Sequence, residues 1–300
     1  MGRPETWSSL LAAGAARLRE ASVERPRLEA ELLLSHILGL RREDLLSSPE
    51  TRAGRGVGPA FARALERRCG GEPLAYIVGH KEFMSLDFAV SREVLVPRPE
   101  TELLVETAAA FLSGRAAPRA VELGAGSGAV GISLARMLPA LQLWAVDISP
   151  GAVRIAVCNA EAHGVAGRVR ILVGDLLSAA GLPGPGTVDA VIGNLPYVPA
   201  GVFGRLAPEV AVFEPRIALD GGPDGLAVIS RLLPQAARYL PPGGACGLEC
   251  DPGQCTLLTE LYRQAGFCDV VVHSDLAGRA RVVWGVVGGQ GDRGQAGSFD

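Results

Sequence analysis

The fold is decided by one glycine-rich stretch, Glu122-Leu123-Gly124-Ala125-Gly126-Ser127-Gly128. A short apolar run at 120–123 leads into it, and a helical pattern at 129–137 follows it. Glycines let a backbone turn tightly and approach a ligand closely. A strand, a glycine loop and a helix in this order therefore predict that a nucleotide-like ligand binds at the loop.

Alternating strands and helices extend outward from this loop. Apolar runs of strand length alternate with runs of helical periodicity, which is typical of a parallel sheet covered by helices on both faces. The predicted strands are 120–123, 141–146, 169–173, 188–192, 245–248, 270–273 and 281–287, and the predicted helices among them are 129–137, 152–162, 226–240 and 256–265. The sequence therefore predicts an α/β fold with a Rossmann-like, seven-stranded, mostly parallel sheet.

Four segments with different patterns of apolar and polar residues predict the domain organisation. Residues 1–75 carry leucines and alanines at helical spacing, which predicts a small helical domain. Residues 76–100 alternate apolar and polar positions and predict a β-hairpin linker, and residues 101–287 form the sheet domain. Residues 288–300 are rich in Gly and Gln without an apolar pattern, so we expect a disordered tail.

Composition narrows the class of protein. A chain of 300 residues with 48% hydrophobic content can bury one α/β core and still supply a second, smaller domain. The net charge of -3 provides no global basic field, so we expect no direct nucleic-acid partner. The apolar stretches are broken before membrane-spanning length, and no signal-peptide pattern is present. We expect a monomeric cytoplasmic protein that does not bind membranes.

The six cysteines lack the paired C-x-x-C spacing that tetrahedral zinc sites usually show. Reduced thiols that pack in the interior are therefore expected. We predict no metal.

Two classes of ligand fit the glycine loop, namely a dinucleotide and S-adenosylmethionine. The third glycine follows two residues after the second, which departs from the dinucleotide fingerprint G-x-G-x-x-G. The pattern E-x-G-x-G-x-G is instead characteristic of class I methyltransferases. Because Gly126 with Gly131 also fits a loose dinucleotide variant, the loop alone favours S-adenosylmethionine without excluding the other class.

Acidic residues at two strand ends support a nucleoside-containing ligand. Asp147 ends the next strand, about twenty residues after the loop, where a carboxylate can accept hydrogen bonds from both ribose hydroxyls. Asp175 follows the third strand and can bind an adenine amino group while Leu176 packs on the ring. Asp175 is equally suited to be a helix N-cap.

The tetrapeptide Asn194-Leu195-Pro196-Tyr197 follows the fourth strand and resembles the (N/D)-P-P-(Y/F) motif of methyltransferases that act on planar nitrogen. The Asn194 side-chain carbonyl and the Leu195 backbone carbonyl can each accept one N–H, which aims the nitrogen at a methyl donor. Pro196 stiffens the loop, and Tyr197 can stack on a flat amide. An ordinary turn also uses Asn and Pro, but the position after the glycine loop favours a catalytic and substrate-binding role.

Further motifs resemble those of the HemK/PrmC family, the release factor glutamine N5-methyltransferases, over nearly the whole chain. They are Glu72 through Gly79, Glu82-Phe83, Val94 through Glu102, Glu214-Pro215, Leu219 through Leu226 and Asp275 through Arg279. The resemblance implies a class I methyltransferase fold and transfer of a methyl group to the N5 side-chain amide nitrogen of the glutamine in the GGQ loop of peptide-chain release factors.

The resemblance also implies residue roles. Gly124 through Gly128, Asp147, Leu176 and Asn194 would bind S-adenosylmethionine, and Asn194 through Tyr197 would bind the substrate glutamine. The helical N-terminal domain would recognise the release factor.

Leu195 departs from the family, which usually has Pro there. Asn-Leu-Pro-Tyr is also typical of ribosomal RNA adenine dimethyltransferases, so adenine N6-methylation of RNA is one alternative. Glutamine methylation of a ribosomal protein is a second, although Pro97-Arg98-Pro99-Glu100 favours the release factor family over that sister family. A non-catalytic donor-binding scaffold and a nicotinamide dehydrogenase fit the tetrapeptide less well.

Overall fold

Residues 5–288 are described by a computed structural model and divide into two units. The helical unit runs to His80 and includes Ala207–Phe213, and the sheet unit comprises Lys81–Leu206 and the chain from Glu214 onward. Apart from Gly288, the predicted tail at 288–300 lies outside the described residues. No helix within residues 5–288 is long and apolar enough to cross a membrane.

The regular elements are named in chain order. The α-helices are α1 (Trp7–Glu20), α2 (Pro26–Leu38), α3 (Arg42–Ser47), α4 (Val57–Cys69), α5 (Leu74–Val78), α6 (Glu102–Leu112), α7 (Ala129–Met137), α8 (Pro150–Ala162), α9 (Pro208–Phe213), α10 (Ala227–Tyr239) and α11 (Cys255–Gln264). The strands are β1 (His80–Phe83), β2 (Leu86–Ala89), β3 (Arg119–Leu123), β4 (Gln142–Asp147), β5 (Val169–Val173), β6 (Ala190–Gly193), β7 (Ala245–Glu249), β8 (Phe267–Ser274) and β9 (Ala280–Val287).

The helical unit is held by an apolar core between α1, α2 and α4. Leu18, Leu33 and Leu34 are fully buried there, as the helical spacing of the leucines predicts. Helix α1 begins at a capping box, in which the Thr6 side chain accepts a hydrogen bond from the Ser9 amide. The sequence thus specifies where this helix starts and which face it buries.

The sheet unit contains a seven-stranded sheet in the order β5-β4-β3-β6-β7-β9-β8. Strands β5, β4, β3, β6 and β7 are mutually parallel, and β9 is antiparallel to both β7 and β8. The predicted mostly parallel, seven-stranded sheet is confirmed.

Side chains alternate between two cores on opposite faces of the sheet. Along β4, Leu143 and Ala145 join the core that includes α6 and α7, whereas Trp144 and Val146 join the core that includes α10 and α11. Both faces are therefore covered by helices, which explains why the central strands read as continuous apolar runs.

The chain reverses direction across the sheet between β3 and β6. From β3 it proceeds to β4 and β5 on one side, and it then returns to β6 on the other side of β3. Leu123 and Gly193, the last residues of these two strands, are register partners. Ligands of open α/β sheets bind outside the carboxyl ends of the strands at such a reversal, so the site is expected where the glycine loop and Asn194 follow these strands.

Several short elements were not assigned from the sequence. Residues 199–218 contain two 3-10 helices, Ala200–Arg205 and Arg216–Ala218, with α9 between them. Each has six residues or fewer, which is too short for helical periodicity to appear. Helix α5 occupies 74–78, and the paired strands β1 and β2 follow it within the segment predicted as a hairpin linker.

Candidate active site

A cavity of about 580 Å³ lies in the sheet unit at the carboxyl ends of β3 and β6. Its volume falls in the range typical of small-molecule sites. The predicted residues that line it are Gly124, Ala125, Gly126, Ser127, Asp147, Asp175, Leu176, Asn194, Leu195 and Pro196. Two predicted residues, Gly128 and Tyr197, are not part of the lining.

The glycine loop has a backbone that side chains would obstruct. Gly124 has a φ of 72°, and a Cβ atom there would lie 3.2 Å from both the Asn194 carbonyl oxygen and a Leu195 methyl group. Gly126 has a φ of 55°, and the space beside its Cα atom is open. The loop is therefore shaped both by its contact with the tetrapeptide and by the open volume in front of it.

Asp147 holds the glycine loop as well as lining the cavity. Its Oδ2 atom accepts a hydrogen bond of 2.8 Å from the Gly126 amide, and its Oδ1 atom accepts one of 2.8 Å from the Ser149 amide. Burial raises the pKa of Asp147, and these backbone hydrogen bonds act in the opposite direction. Because each carboxylate oxygen has a second lone pair, it can still accept a ligand hydroxyl.

Asp175 and Leu176 form the wall beyond β5. The Asp175 carboxylate pairs with Arg231 of α10 at 2.5 Å. Leu176 is 7% exposed and has a φ of 51°, a conformation that costs a non-glycine residue about 1 kcal/mol or more. Strained residues of this kind cluster at ligand sites, which agrees with the apolar wall predicted at Leu176.

The tetrapeptide directly follows β6. The Asn194 Nδ2 atom donates a hydrogen bond of 3.1 Å to the Thr101 hydroxyl, so its Oδ1 atom is the end that remains for another partner. The Leu195 side chain is 3% exposed and packs in a core of the sheet unit. The side chain of Leu195 therefore contributes to the core, and its backbone carbonyl is the group predicted to accept an N–H.

Tyr197 is the last residue of the tetrapeptide and is held by two hydrogen bonds. Its hydroxyl donates a hydrogen bond of 3.2 Å to Glu249 Oε1, and its backbone carbonyl accepts one of 2.9 Å from the Gln254 side chain. Burial and the neighbouring Glu249 raise the pKa of Tyr197 well above its ordinary value. Stacking of its ring on a substrate amide remains a prediction.

Glu122, the next-to-last residue of β3, also lines the cavity. No role was predicted for it from the sequence. It is 2% exposed, and burial raises its pKa to about 8. Its Oε2 atom accepts a hydrogen bond of 3.1 Å from the Gly131 amide, and a Cβ atom at Gly131 would collide with this oxygen. A strongly perturbed carboxyl group in a cavity is typical of a functional site.

Two segments of the lining were quoted only for their family resemblance. The first, between Val94 and Thr101, reaches the cavity, and its Arg98 pairs with the buried Glu214. The second includes Pro215 and Asp220 of the quoted motifs, and Arg216 to Ala218 between them, which were not quoted, also line the cavity. Resemblance was the only signal for them, because neither contains a strand or helix pattern of useful length.

Within residues 5–288, no group of three or more His, Cys, Asp or Glu side chains is arranged to hold a metal ion.

Comparisons with known proteins agree with this architecture. Residues 9–79 match the family described as the PrmC N-terminal domain, and residues 120–211 match that described as a methyltransferase domain. Among solved structures, the hMettl16 catalytic domain in complex with the MAT2A 3'UTR hairpin 6 superposes with a TM-score of 0.56 at 14% identity, covering 76% of this chain and 83% of that one. This likeness concerns the fold alone.

Curated relatives are similar over most of their length. The release factor glutamine methyltransferase of Moorella thermoacetica is 42% identical over 278 residues, covering 92% of this chain and 96% of the relative. That of Geobacter sulfurreducens is 40% identical over 298 residues, covering 95% of this chain and 99% of the relative. That of Bordetella pertussis is 42% identical over 260 residues, covering 87% of this chain and 94% of the relative.

A sheet of this order with an E-x-G-x-G-x-G loop at its reversal point defines an S-adenosylmethionine-dependent methyltransferase of the Rossmann-like class. The N-terminal family match and the relatives at 40–42% identity define it further. The chain belongs to the release factor glutamine methyltransferase family.

Replacing Gly124 with Ala is expected to raise the Kd for S-adenosylmethionine by about tenfold, because the methyl group forces the loop away from Asn194 and the left-handed φ costs about 1 kcal/mol or more. Isothermal titration calorimetry measures this. Gly114→Ala is the matched control, since Gly114 is exposed and open space surrounds it. An unchanged Kd in Gly124→Ala would show that the loop does not bind the donor.

Replacing Glu122 with Gln is expected to flatten the pH dependence of stability. The pKa of Glu122 is raised from 4.5 to about 8, so the folded protein keeps a proton that the unfolded chain loses between these values. The free energy of unfolding of the wild type should therefore fall as pH rises through this window, by roughly 1.4 kcal/mol per pH unit at most.

Urea unfolding of both proteins at about pH 5, 6.5 and 8 provides the comparison. The account predicts that the stability advantage of the wild type over Glu122→Gln shrinks with rising pH. Parallel pH profiles would contradict a buried, protonated Glu122.

Proposed function

We propose that this enzyme transfers a methyl group from S-adenosylmethionine to the N5 side-chain amide nitrogen of the glutamine in the GGQ motif of peptide-chain release factors. One observation carries the proposal: the backbone carbonyl oxygen of Asn194 lies 3.2 Å from the place where a Gly124 Cβ atom would be. The loop for the donor and the tetrapeptide for the amide thus meet in one cavity.

The donor side of the cavity suits S-adenosylmethionine. Gly124 through Ser127 provide a backbone surface, and Asp147 provides carboxylate oxygens within hydrogen-bonding reach of this loop. Leu176 supplies an apolar wall for an adenine ring, and Asp175 lies beside it for the adenine amino group. The open space in front of Gly126 is where a close-packed ligand would lie.

The amide side of the cavity must solve a problem of reactivity. An amide nitrogen is a poor nucleophile because its lone pair is delocalised into the adjacent carbonyl group. Asn194 Oδ1 and the Leu195 backbone carbonyl are the acceptors that would hold its two N–H groups and fix its orientation. The orientation of Asn194 is itself fixed, because its Nδ2 atom is bound to Thr101.

Bound S-adenosylmethionine would supply a methyl group activated by the sulfonium charge. The methyl–sulfur bond would break as the methyl–nitrogen bond forms, S-adenosylhomocysteine would leave, and the nitrogen would lose one proton to water. The contribution of the protein is to position the amide and to exclude competing nucleophiles. Pro196 limits the conformations of the tetrapeptide and so favours a single amide position. No metal has a part in this proposal.

The departure at Leu195 is compatible with this reaction. Its side chain is 3% exposed and packs in a core of the sheet unit. Its backbone carbonyl is unaffected by the change from Pro, since both residues carry this group. We therefore expect Leu195 to contribute to stability and to amide binding through separate parts of the residue.

The helical unit is proposed to recognise the release factor. Its family match spans residues 9–79, and the name of this family's relatives refers to release factors. The proposal places the reaction in the cytoplasm and requires one copy of the chain.

Replacing Asn194 with Ala is expected to abolish methylation of the glutamine, lowering kcat by about 100-fold or more, because the amide loses the acceptor that orients it. The measurement is peptide mass spectrometry of the Gly-Gly-Gln loop after incubation with S-adenosylmethionine and a release factor from the same organism. Gln142→Ala is the matched control, because Gln142 carries an exposed amide side chain and does not line the cavity.

A methyl group on that glutamine in the wild type and in Gln142→Ala, but not in Asn194→Ala, would support the proposal. An unmodified loop, together with measurable donor binding, would contradict it. Ribosomal protein glutamine and RNA adenine would then be the substrates to test.

A further inference from the structure

The Asn194 side chain is held by a residue far from it in sequence. Thr101 ends the 3-10 helix Pro99–Thr101 and is 5% exposed, and its hydroxyl accepts the hydrogen bond of 3.1 Å from Asn194 Nδ2. Both residues line the cavity. The acceptor for Asn194 is therefore built into the wall of the site.

Glu249 lies behind this pair at the end of β7. Gly193 is the register partner of Leu248, so Glu249 and Asn194 follow neighbouring strands at the same edge of the sheet. Glu249 is 2% exposed and accepts a hydrogen bond of 3.2 Å from the Tyr197 hydroxyl. Burial raises the pKa of Glu249, and the positive charge of Arg281 acts in the opposite direction.

The contact with Thr101 distinguishes the two ends of the Asn194 amide. Its NH₂ end donates to the Thr101 hydroxyl, which leaves Oδ1 as the end that can accept a hydrogen bond in the cavity. The inverted amide would offer a donor, and no acceptor, to a substrate N–H group.

We propose that Thr101 is a positioning residue that fixes the side-chain amide of Asn194 with its carbonyl oxygen facing the substrate. This inference rests on the proposed function. Glu249 holds the Tyr197 hydroxyl at the other end of the tetrapeptide. Thr101 takes no part in bond making and acts through Asn194.

The test compares Thr101→Val, which keeps the shape but removes the hydroxyl, with Thr101→Ser, which keeps the hydroxyl. The kcat for glutamine methylation should fall about tenfold in Thr101→Val and stay within about twofold of wild type in Thr101→Ser, because only the valine variant releases Asn194. The Kd for S-adenosylhomocysteine and the thermal unfolding midpoint should change little in either variant.

A second readout is independent of the substrate. Nuclear magnetic resonance of the Asn194 side-chain NH₂ group, assigned by its loss in Asn194→Asp, should show slow hydrogen exchange in the wild type and in Thr101→Ser, and fast exchange in Thr101→Val. Equal exchange in all three proteins, or a wild-type kcat in Thr101→Val, would overturn the inference. If the wild type itself leaves the glutamine unmodified, the proposed function fails, while the exchange comparison still decides whether Thr101 positions Asn194.

Discussion

The site depends on the close approach of two backbone segments at the carboxyl ends of neighbouring parallel strands. The glycine loop after β3 and the tetrapeptide after β6 meet because these parallel strands are neighbours in the sheet. The order in which the chain adds strands reverses there, with β4 and β5 on the other side of β3. Gly124 makes the approach possible, since any larger residue would press on the Asn194 carbonyl oxygen and on Leu195. Donor and acceptor sites are thereby placed in one cavity by backbone geometry, before any side chain contributes chemistry.

Buried carboxyl groups surround this backbone contact. Glu122, Asp147 and Glu249 each end or follow a parallel strand, and burial raises the pKa of all three. Each is held by donors from another segment, namely the Gly131 amide, the Gly126 and Ser149 amides, and the Tyr197 hydroxyl. Such groups are costly to bury unless they are hydrogen-bonded. These hydrogen bonds connect the ends of β3, β4 and β7 to α7, to the glycine loop and to the tetrapeptide.

Much of this arrangement could be predicted from the sequence, for identifiable physical reasons. The strands and the glycine loop are local features, because apolar runs and glycines record burial and turns within a few residues. Asn194 could be placed because it directly follows a strand. The partners Thr101 and Glu249 could not, since they lie 93 and 52 positions from the residues they contact, Asn194 and Tyr197, and meet them only through the tertiary fold. The hydrogen bond between the Tyr197 hydroxyl and Glu249 could not be predicted for the same reason. The short helices around residues 199–218 were missed because six residues or fewer carry no readable period.

The central claim is that Asn194 Oδ1 and the Leu195 backbone carbonyl together hold a glutamine side-chain amide beside the donor loop. A crystal structure of the protein with S-adenosylhomocysteine and a Gly-Gly-Gln peptide tests it most directly. The account predicts one N–H of the glutamine amide on each of these two oxygens, with the nitrogen facing the sulfur atom. A glutamine side chain bound elsewhere, or held with its carbonyl oxygen facing the sulfur atom, would contradict it.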